Sequence, residues 1–566
     1  MRTPEPELPT TLPAALERAA RHFGDRGIAV LDGRGRRHEK RMWNEVLAGA
    51  RRAAGQWAEI GVGVGDRVVI TLPTSWEWLD AWLGATLRGA YPVAVAPGGG
   101  LGPADAVLRK VDGVVERLDA RFVIARDGFR TAAESAGYAR IVERTVTPEE
   151  LFGLAGSPFT APVPTPEDDA FLQLTSGSTG MSRAVRIPHR AVLHNARAID
   201  EAIGAPDGAP ARAWADALVS WLPLHHDMGL VGCLFVAMLG GLDLWLLPPA
   251  TFLARPRLWL DHLGRHGKTF GHAPNFGYQL CVERLDASGL DGLDLSGWRH
   301  AMTGAEMVRP ETVRAFSTRF GSIGFRPEVF RPCYGLAEAT LAATLDLEGR
   351  GLRTRPLPGD AAHRQLDPEL TEVACLGPPV ADTSVRIVGA DGQEVPEGTI
   401  GEVRISGPGV FGGYWNDPEA TAEALVDGPQ GVELTTGDLG FLHVGELYLT
   451  GRTKDLLIVR GTNWMPHEIE WLAENVTGGG GALRSGAFSV PRGGEGEVPI
   501  VVVETSERDP DRREAMARDI RLEISKGLGL VLAEVVFVRR GAIPKTTSGK
   551  VQRRALRAAY LGGELS

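Results

Sequence analysis

Length, composition and charge limit the classes of protein to which this chain can belong. Its 566 residues exceed what one hydrophobic core usually organises, so we expect two or more domains. A content of 43% hydrophobic and 23% charged residues is that of an ordinary globular protein. The net charge of −10 argues against a general nucleic-acid binder, because no strong positive field attracts polyphosphate.

Cysteine usage and hydropathy indicate a compartment. The four cysteines lie far apart without a C-x-x-C pair, which predicts neither a zinc site nor a disulfide framework. The first residues contain no apolar export segment. The longest apolar stretch, 228–242, ends at Asp243 after 15 residues and is too short to span a bilayer. We therefore expect a cytoplasmic protein without a membrane span.

The first part of the chain alternates predicted helices and strands. Apolar residues recur at helical spacing in 12–23 and 43–60. Continuous apolar runs predict buried strands at 67–72 and 91–95, with a helix at 76–89 between them. This alternation favours an α/β fold with a parallel sheet.

Small and hydroxylated residues dominate the stretch 174–185, Leu-Thr-Ser-Gly-Ser-Thr-Gly-Met-Ser-Arg-Ala-Val. Backbone N–H groups and hydroxyls in such a run can converge on an anion such as phosphate. The apolar residues 170–174 and 184–187 predict a strand on each side, and hence a strand–loop–strand hairpin. A flexible connection is the alternative interpretation.

A histidine pair with a carboxylate follows in His225-His226-Asp227. On an extended chain adjacent side chains point to opposite faces, so the two imidazoles are not expected to share one ion. We expect a pocket-lining or core role for them instead of a metal site.

Tyr334 and Glu338 are separated by small residues in Cys-Tyr-Gly-Leu-Ala-Glu-Ala-Thr. A flat ring under a base with a carboxylate near Mg²⁺ is one interpretation, and a buried strand end with a capping acid is the other. Further on, 385–388, 401–405 and 445–450 predict the short strands of a β-rich layer.

The C-terminal part carries its own predicted elements and a basic tail. Pro466 opens a predicted helix toward Asn475, 498–503 predicts a strand, and 509–528 predicts a charged amphipathic helix. The tail Pro-Lys-Thr-Thr-Ser-Gly-Lys-Val-Gln-Arg-Arg begins at Pro544. Such basic residues are solvated or steer anions.

In order along the chain, these motifs resemble those of the adenylate-forming superfamily, and His-His-Asp-Met-Gly-Leu is typical of its fatty acyl-AMP ligase branch. The resemblance continues through Thr-Gly-Ala-Glu-Met-Val-Arg-Pro-Glu from Thr303, Thr-Thr-Gly-Asp-Leu-Gly from Thr435 and Gly-Arg-Thr-Lys-Asp from Gly451. It implies an α/β fold with a large N-terminal adenylate-forming domain, 1–453, of layered α/β subdomains plus a β-rich subdomain. A small mobile α+β domain, 454–566, would follow.

The resemblance also implies site residues. It makes Lys550, Glu338 and His226 catalytic and places Mg²⁺ on Glu338. His226, Gly232, Met302 and Thr303 would line an acyl pocket with room for a bulky or long acid. The nucleotide-binding residues it implies are Thr175, Ser176, Gly177, Ser178, Thr179, Gly180, Arg183, Gly304, Ala305, Glu306, Tyr334, Gly335, Asp438, Arg452 and Lys454.

The implied reaction has two steps and needs ATP, Mg²⁺ and a thiol. A carboxylic acid first attacks the α-phosphate of ATP to give acyl-adenylate and pyrophosphate, with Lys550 offsetting the charge. The small domain then rotates about Lys454 and the thiol attacks the acyl carbon.

Coenzyme A is the preferred acceptor, and the phosphopantetheine of an acyl carrier protein is the alternative. The segment 338–377 is longer than in ordinary CoA ligases, yet it looks shorter than is usual in the fatty acyl-AMP ligase branch. In addition, Thr462, Trp464 and Met465 stand where that branch commonly has Arg, His and Tyr.

One departure from the family pattern leaves two further hypotheses. Ser182-Arg183-Ala184 replaces the usual Pro-Lys-Gly, and arginine keeps the charge of lysine but not its geometry. The chain could then adenylate poorly and ligate a preformed acyl-AMP to CoA. It could also be a non-enzymatic acyl-AMP-binding relative, against which the retained Lys550 argues.

Overall fold

A computed structural model describes residues 8–32, 38–97, 104–175, 182–204, 211–286, 288–358, 372–459, 462–477, 484–492, 496–546 and 550–565. The strands, numbered in chain order, are β1 (Gly27–Leu31), β2 (His38–Met42), β3 (Arg67–Thr71), β4 (Tyr91–Ala94), β5 (Phe122–Ala125), β6 (Thr145–Val146), β7 (Asp169–Leu174), β8 (Ala184–Pro188), β9 (Ala217–Ser220), β10 (Asp243–Leu246), β11 (Thr269–Ala273), β12 (Trp298–Thr303), β13 (Phe330–Gly335), β14 (Ala342–Leu345), β15 (Thr354–Pro356), β16 (Glu372–Ala374), β17 (Ser384–Val388), β18 (Gly401–Ser406), β19 (Leu425–Gly428), β20 (Gly431–His443), β21 (Glu446–Arg452), β22 (Leu457–Val459), β23 (Thr462–Trp464), β24 (Ser485–Arg492), β25 (Gly496–Glu504) and β26 (Glu534–Val538).

The α-helices span Leu12–His22, Trp43–Glu59, Trp76–Leu87, Ala104–Leu118, Asp127–Ser135, Ala139–Arg144, Pro148–Phe152, His189–Ala202, Ala211–Trp214, Asp227–Gly229, Val236–Gly240, Pro249–Ala254, Arg257–Arg265, Asn275–Arg284, Pro310–Phe320, Pro418–Ala424, Pro466–Val476, Pro510–Leu528 and Arg553–Leu561. A π-helix occupies Leu230–Phe235, and short 3₁₀ turns include Ala337–Ala339 and Thr453–Asp455. Among the ranges described, no helix is both long and apolar enough to cross a membrane.

Two α/β sheets form most of the molecule. One has eight strands in the order β14-β13-β12-β11-β9-β10-β1-β2, parallel except for its outer strands β14 and β2. The other has four parallel strands in the order β4-β3-β5-β6. The predicted parallel α/β organisation is therefore confirmed, as are the predicted helices at 12–23, 43–60 and 76–89 to within a few residues.

A five-stranded antiparallel sheet, β17-β18-β20-β19 with β21 on β20, forms the predicted β-rich layer. One hydrophobic core runs from Leu12 to Leu447 and contains several fully buried tryptophans, Trp43, Trp57, Trp78, Trp82, Trp259 and Trp298. Such large apolar side chains contribute much of the free energy of folding because each removes a large apolar area from water.

The chain from 457 to 565, here the C-terminal segment, has hydrophobic clusters of its own. One cluster lies between Leu457 and Leu532, the other between Phe488 and Leu556, and neither includes a buried residue from before 457. Its sheet, β24-β25-β26, packs with the helices Pro466–Val476 and Pro510–Leu528. The exact domain boundary at Lys454 stays a prediction.

His189 ties the start of the first helix to the helix His189–Ala202. Its Nδ1 accepts a hydrogen bond from the backbone N–H of Leu12 at 3.1 Å, which requires an unprotonated ring. Burial lowers the pKa of His189 to about 4, against the opposing charge of Asp168. Protonation therefore favours the unfolded chain, where the pKa is about 6.5.

We expect the melting temperature to fall as the pH is lowered from about 6.5 to about 4, because the unfolded chain binds the proton first. His189→Gln keeps an acceptor without a titrating ring and should reduce this fall, measured by differential scanning fluorimetry. His22→Gln, at an exposed position of the first helix, is the control. Identical pH curves for His189→Gln and the wild type would contradict the prediction.

Candidate active site

The carboxyl ends of β9, β11, β12 and β13 meet at one edge of the eight-stranded sheet, where ligands bind in open α/β sheets. The segments leaving these strands carry His226, Asn275, Glu306 and Glu338. Sequence motifs that are far apart in the chain are thus brought to one place by the parallel strand order.

The predicted hairpin is confirmed: β7 and β8 pair antiparallel around the loop. At its neck the backbone N–H of Thr175 donates to Arg183 O at 2.9 Å, and the N–H of Arg183 donates to Thr175 Oγ1 at 3.2 Å. The predicted phosphate-binding residues Ser176, Gly177, Ser178, Thr179 and Gly180 lie outside the described residues. Their role stays a prediction.

Arg183 does not extend freely from this neck. Its guanidinium lies 5.1 Å from the ring centroid of Tyr414, and its Nε is 3.5 Å from Asp417 Oδ2. The hydroxyl of Tyr414 in turn donates to Glu338 Oε1 at 2.7 Å. Burial and the Glu338 carboxylate raise the pKa of Tyr414, so the phenol stays protonated and remains a donor. Arg183 and Glu338 are therefore connected through one aromatic side chain.

Tyr414 was missed by sequence reasoning. The available signal was Gly-Gly-Tyr-Trp-Asn at 412–416, which contains no charged or nucleophilic group. Only the packing of this segment beside β8, where Arg186 N donates to Gly413 O at 2.9 Å, places the phenol next to Glu338.

Asp438 is held by two donors. The hydroxyl of Tyr334 donates to its Oδ2 at 2.6 Å, and Nε of Arg452 donates to its Oδ1 at 2.7 Å. Asp438 on β20 pairs with Arg452 on β21 in the sheet register, which fixes their approach. Asp438 is 3% exposed, whereas the Arg452 side chain is 54% exposed. The buried carboxylate therefore binds a guanidinium whose side chain is partly exposed to solvent.

The segment after β12 adopts a tight conformation. A Cβ on Gly304 would lie 2.7 Å from Cys333 Sγ, and Ala305 has a φ of +69°, which is uncommon for an alanine. On the neighbouring strand, a Cβ on Gly335 would lie 1.6 Å from Leu341 O. These positions therefore leave room for little or no side chain. Glu306 is the residue directly after Ala305.

Glu306 is a buried carboxyl group whose two oxygens differ in hydrogen bonding. Its Oε1 accepts from the backbone N–H of Phe276 at 3.1 Å, and its Oε2 has no hydrogen-bond partner among the described residues. Burial raises the pKa of Glu306 to about 7, although the Phe276 hydrogen bond and the charge of Lys550 oppose this. Glu306 therefore titrates near neutral pH.

Lys550 reaches the same place from the C-terminal segment. Burial lowers its pKa and Arg452 lowers it further, whereas Asp227, Glu306 and Asp438 raise it. Burial also raises the pKa of Asp227, which the Lys550 charge opposes. One ammonium group thus lies within electrostatic reach of three carboxyl groups from separate parts of the chain.

The expectation that His225 and His226 point to opposite faces is wrong. The segment is a turn, in which His226 N donates to Pro223 O at 3.1 Å, and the two ring centroids are 4.7 Å apart. The alternation rule fails because it holds only for extended chain. Gln173 Nε2 donates to His225 O at 3.0 Å and fixes this turn to β7.

Among the residues that the structure describes, the histidine turn is not part of a group with metal-like spacing. Within the described part of the chain, the group with metal-like spacing is Asp346, Cys375 and Glu446. Arg353 lies among these side chains, with Nη2 donating to Asp346 Oδ1 at 2.6 Å and Nη1 donating to Glu446 Oε2 at 2.5 Å. Because a guanidinium already neutralises these groups, this cluster is an ion-pair network.

The predicted acyl-pocket residues His226, Gly232, Met302 and Thr303 lie at or near the same sheet edge, whereas the predicted hinge residue Lys454 does not. Gly232 is inside the π-helix, where a Cβ would be 2.9 Å from Leu341 Cδ2. π-helical turns occur frequently at functional sites, but no pattern in the sequence predicts this one. Thr303 is buried at the end of β12, and Lys454 is exposed in the 3₁₀ turn after β21.

Comparison with known proteins defines the class. The family model described as "AMP-binding enzyme" matches residues 16–415. A putative acyl-CoA synthetase of Caulobacter vibrioides is 35% identical over 569 residues, covering 98% of this chain and 96% of that protein. The long-chain-fatty-acid–AMP ligase FadD26 of Mycobacterium marinum is 34% identical over 549 residues, covering 92% and 91%.

Comparison with solved structures leads to the same class of protein. A structure from a study of fatty acyl-adenylate ligases of E. coli and L. pneumophila superposes with a TM-score of 0.85 at 30% identity, covering 98% of both chains. The chain belongs to the AMP-binding enzymes of the adenylate-forming superfamily. It is an ATP-dependent ligase that activates a carboxylic acid as its acyl-adenylate, and the predicted fold class is confirmed.

Asp438→Asn should weaken AMP binding about tenfold, because an amide offers only one oxygen to the two donors Tyr334 and Arg452. Isothermal titration calorimetry with AMP measures the effect. Asp427→Asn makes the same substitution at an exposed position of the same sheet and should bind AMP as the wild type does. Equal affinities for the two variants would contradict this prediction.

Proposed function

We propose that Lys550 and Glu338 carry the adenylation of the acid and that the acyl group then passes to coenzyme A. The observation that supports this best is the position of Lys550 beside Glu306, Asp227 and Asp438. Lys550 belongs to the C-terminal segment, whereas these three carboxyl groups belong to residues that precede that segment. Its charge is placed where negative charge develops during transfer to a phosphate.

ATP would bind across the edge of the sheet. The ring of Tyr334 supports the base, and Asp438 accepts the ribose hydroxyls with the lone pairs that Tyr334 and Arg452 leave unused. The hairpin after Thr175 would hold the β- and γ-phosphates. Gly304 and Ala305 supply a backbone close enough to contact the nucleotide.

Magnesium fits the oxygen donors near Glu338. The carboxylate of Glu338 keeps lone pairs beyond the one that Tyr414 occupies, and Asp227 supplies a second carboxyl within its electrostatic reach. Bound Mg²⁺ would neutralise phosphate charge at this position. Tyr414 donates to this carboxylate, and the guanidinium of Arg183 lies over the Tyr414 ring.

In the first step the substrate carboxylate attacks the α-phosphorus of ATP, and the bond to pyrophosphate breaks. Lys550 stabilises the charge that builds up on the transferring group. The three carboxyl groups around Lys550 favour its protonated form against the effect of burial. In the second step a thiol attacks the acyl carbon and AMP leaves.

The second step requires the C-terminal segment to move, since Lys550 occupies the site in this arrangement. Lys454 is exposed in a short turn between β21 and β22, which suits a hinge. The acyl chain would occupy the side of Gly232, Met302 and Thr303, next to His226. Relatives named for long-chain and medium-chain fatty acids support a fatty acid as the substrate.

Coenzyme A is the proposed acceptor, and an acyl carrier protein is the alternative. The putative acyl-CoA synthetase of Caulobacter vibrioides matches 98% of this chain. The medium-chain-fatty-acid–[acyl-carrier-protein] ligase JamA of Moorena producens is 35% identical over 413 residues, covering 70% of this chain and 68% of that protein. Trp464, one of the departures from the fatty acyl-AMP ligase pattern, is 6% exposed within the C-terminal hydrophobic cluster.

A second candidate is an enzyme that adenylates slowly and chiefly ligates preformed acyl-AMP to CoA. The observation that favours it is the engagement of Arg183 with Tyr414 and Asp417, which already occupies its charge beside the hairpin. Rates of the two half-reactions separate the candidates. Adenylation much slower than transfer from synthetic acyl-AMP would support the second candidate.

Lys550→Ala should reduce pyrophosphate release from fatty acid and ATP about 100-fold, because one charged stabiliser of the transition state is lost. AMP binding should be retained, since Lys550 approaches from the C-terminal segment. A coupled pyrophosphate assay and calorimetry measure the two properties. Lys545→Ala is the matched control from the same tail, where Lys545 pairs with Glu504 at 3.7 Å. Full activity of Lys550→Ala would refute the proposed role.

The acceptor is tested with the wild-type protein, fatty acid and Mg-ATP. Coenzyme A and a pantetheinylated carrier protein are offered side by side, and the products are identified by mass spectrometry. We expect acyl-CoA to form faster. Acylated carrier with no acyl-CoA would establish the alternative acceptor.

A further inference from the structure

A second charged residue follows Glu306 on the same loop. Arg309, just before the helix Pro310–Phe320, is 3% exposed although it carries a full charge. Its partners belong mostly to the C-terminal segment: Nη1 donates to Glu474 Oε2 at 3.0 Å and Nη2 donates to Asn475 Oδ1 at 2.5 Å. Its guanidinium also lies 5.6 Å from the ring centroid of Trp471.

Glu474 is the buried end of this contact. It is 1% exposed on the helix Pro466–Val476. Its Oε1 accepts from Ser485 N at 3.2 Å and from Ser485 Oγ at 2.9 Å, which ties it to the start of β24. Arg309 therefore holds both a helix and the sheet of the C-terminal segment.

Another ion pair between the same two parts is more peripheral. Arg484 Nη2 lies 3.1 Å from Glu283 Oε2, with side chains 26% and 27% exposed. An exposed pair contributes little because water and salt screen it, whereas removing one partner of a buried pair is strongly unfavourable. Arg309 is thus the stronger link of the two.

The loop 304–309 contacts the C-terminal segment at two points. Glu306 lies within electrostatic reach of Lys550, and three residues later Arg309 binds Glu474 at 3.0 Å. Because both contacts belong to one short loop and one packed segment, docking at Arg309 fixes where Lys550 can lie.

We propose that Arg309 is a positioning residue for acyl-adenylate formation, which docks the C-terminal segment so that Lys550 reaches the reacting groups. The inference rests on the proposed function. The Arg309 contacts are present in the arrangement that brings Lys550 within electrostatic reach of Glu306. In the proposed cycle they favour the first half-reaction and break for the second. Arg309 affects the reaction through Lys550 and does not touch the reacting atoms.

Arg309→Gln should lower single-turnover adenylation of fatty acid by ATP about tenfold, because the docked arrangement becomes less populated. The loss should appear in kcat with the KM for ATP little changed. Transfer of synthetic acyl-AMP to CoA should stay within about twofold of wild type or increase. Arg309→Lys should recover part of the adenylation rate, and Arg484→Gln should match wild type in both assays.

Glu474→Gln is the second variant, in case Arg309→Gln folds poorly. It removes the charge that Arg309 binds and keeps an oxygen for Ser485, so the same selective loss is expected. A loss confined to adenylation in either variant supports the proposal. Equal losses in both half-reactions, or rates equal to those of Arg484→Gln, overturn it. If the wild type itself forms no acyl-adenylate, the proposed function fails and the inference fails with it.

Discussion

The structure depends on gathering opposite charges at one edge of a buried sheet. Lys550 enters from the C-terminal segment, and Asp227, Glu306 and Asp438 come from three other parts of the chain. Removing a charge from water is unfavourable, and the Lys550 ammonium offsets part of that cost for the carboxyl groups near it. This attraction connects the C-terminal segment to the rest of the molecule at this site.

Rigid surroundings make that charge arrangement specific. The sheet register sets Asp438 opposite Arg452, and Tyr334 at the end of β13 closes the other side of the carboxylate. The small residues Gly304 and Gly335 allow the backbone to approach closely. Fixed donors and acceptors cost little reorganisation when charge develops, and such preorganisation is the main source of electrostatic catalysis. In the proposed mechanism the C-terminal segment is the part that moves, with Lys454 as the hinge.

Local patterns were reliable where the residues involved are neighbours in sequence. The hairpin of β7 and β8 followed from two apolar runs around a small-residue loop, and it is present. The histidine turn was misjudged, because Pro223 and His226 close a turn that period-two reasoning does not include. Tyr414 was missed because its importance comes only from contact with Glu338, 76 positions away.

The sequence by itself determined the class of fold and the family motifs, and it supplied the residues proposed to bind a nucleotide, since these are written in periodicity and short-range composition. Only the tertiary structure decided that Arg183 turns to Tyr414, that Arg309 binds Glu474, and that Lys550 lies beside Glu306. The physical reason is the separation in sequence between the residues that interact. Ion pairs between distant segments depend on how whole elements pack, and no local pattern encodes the partner of a buried charge.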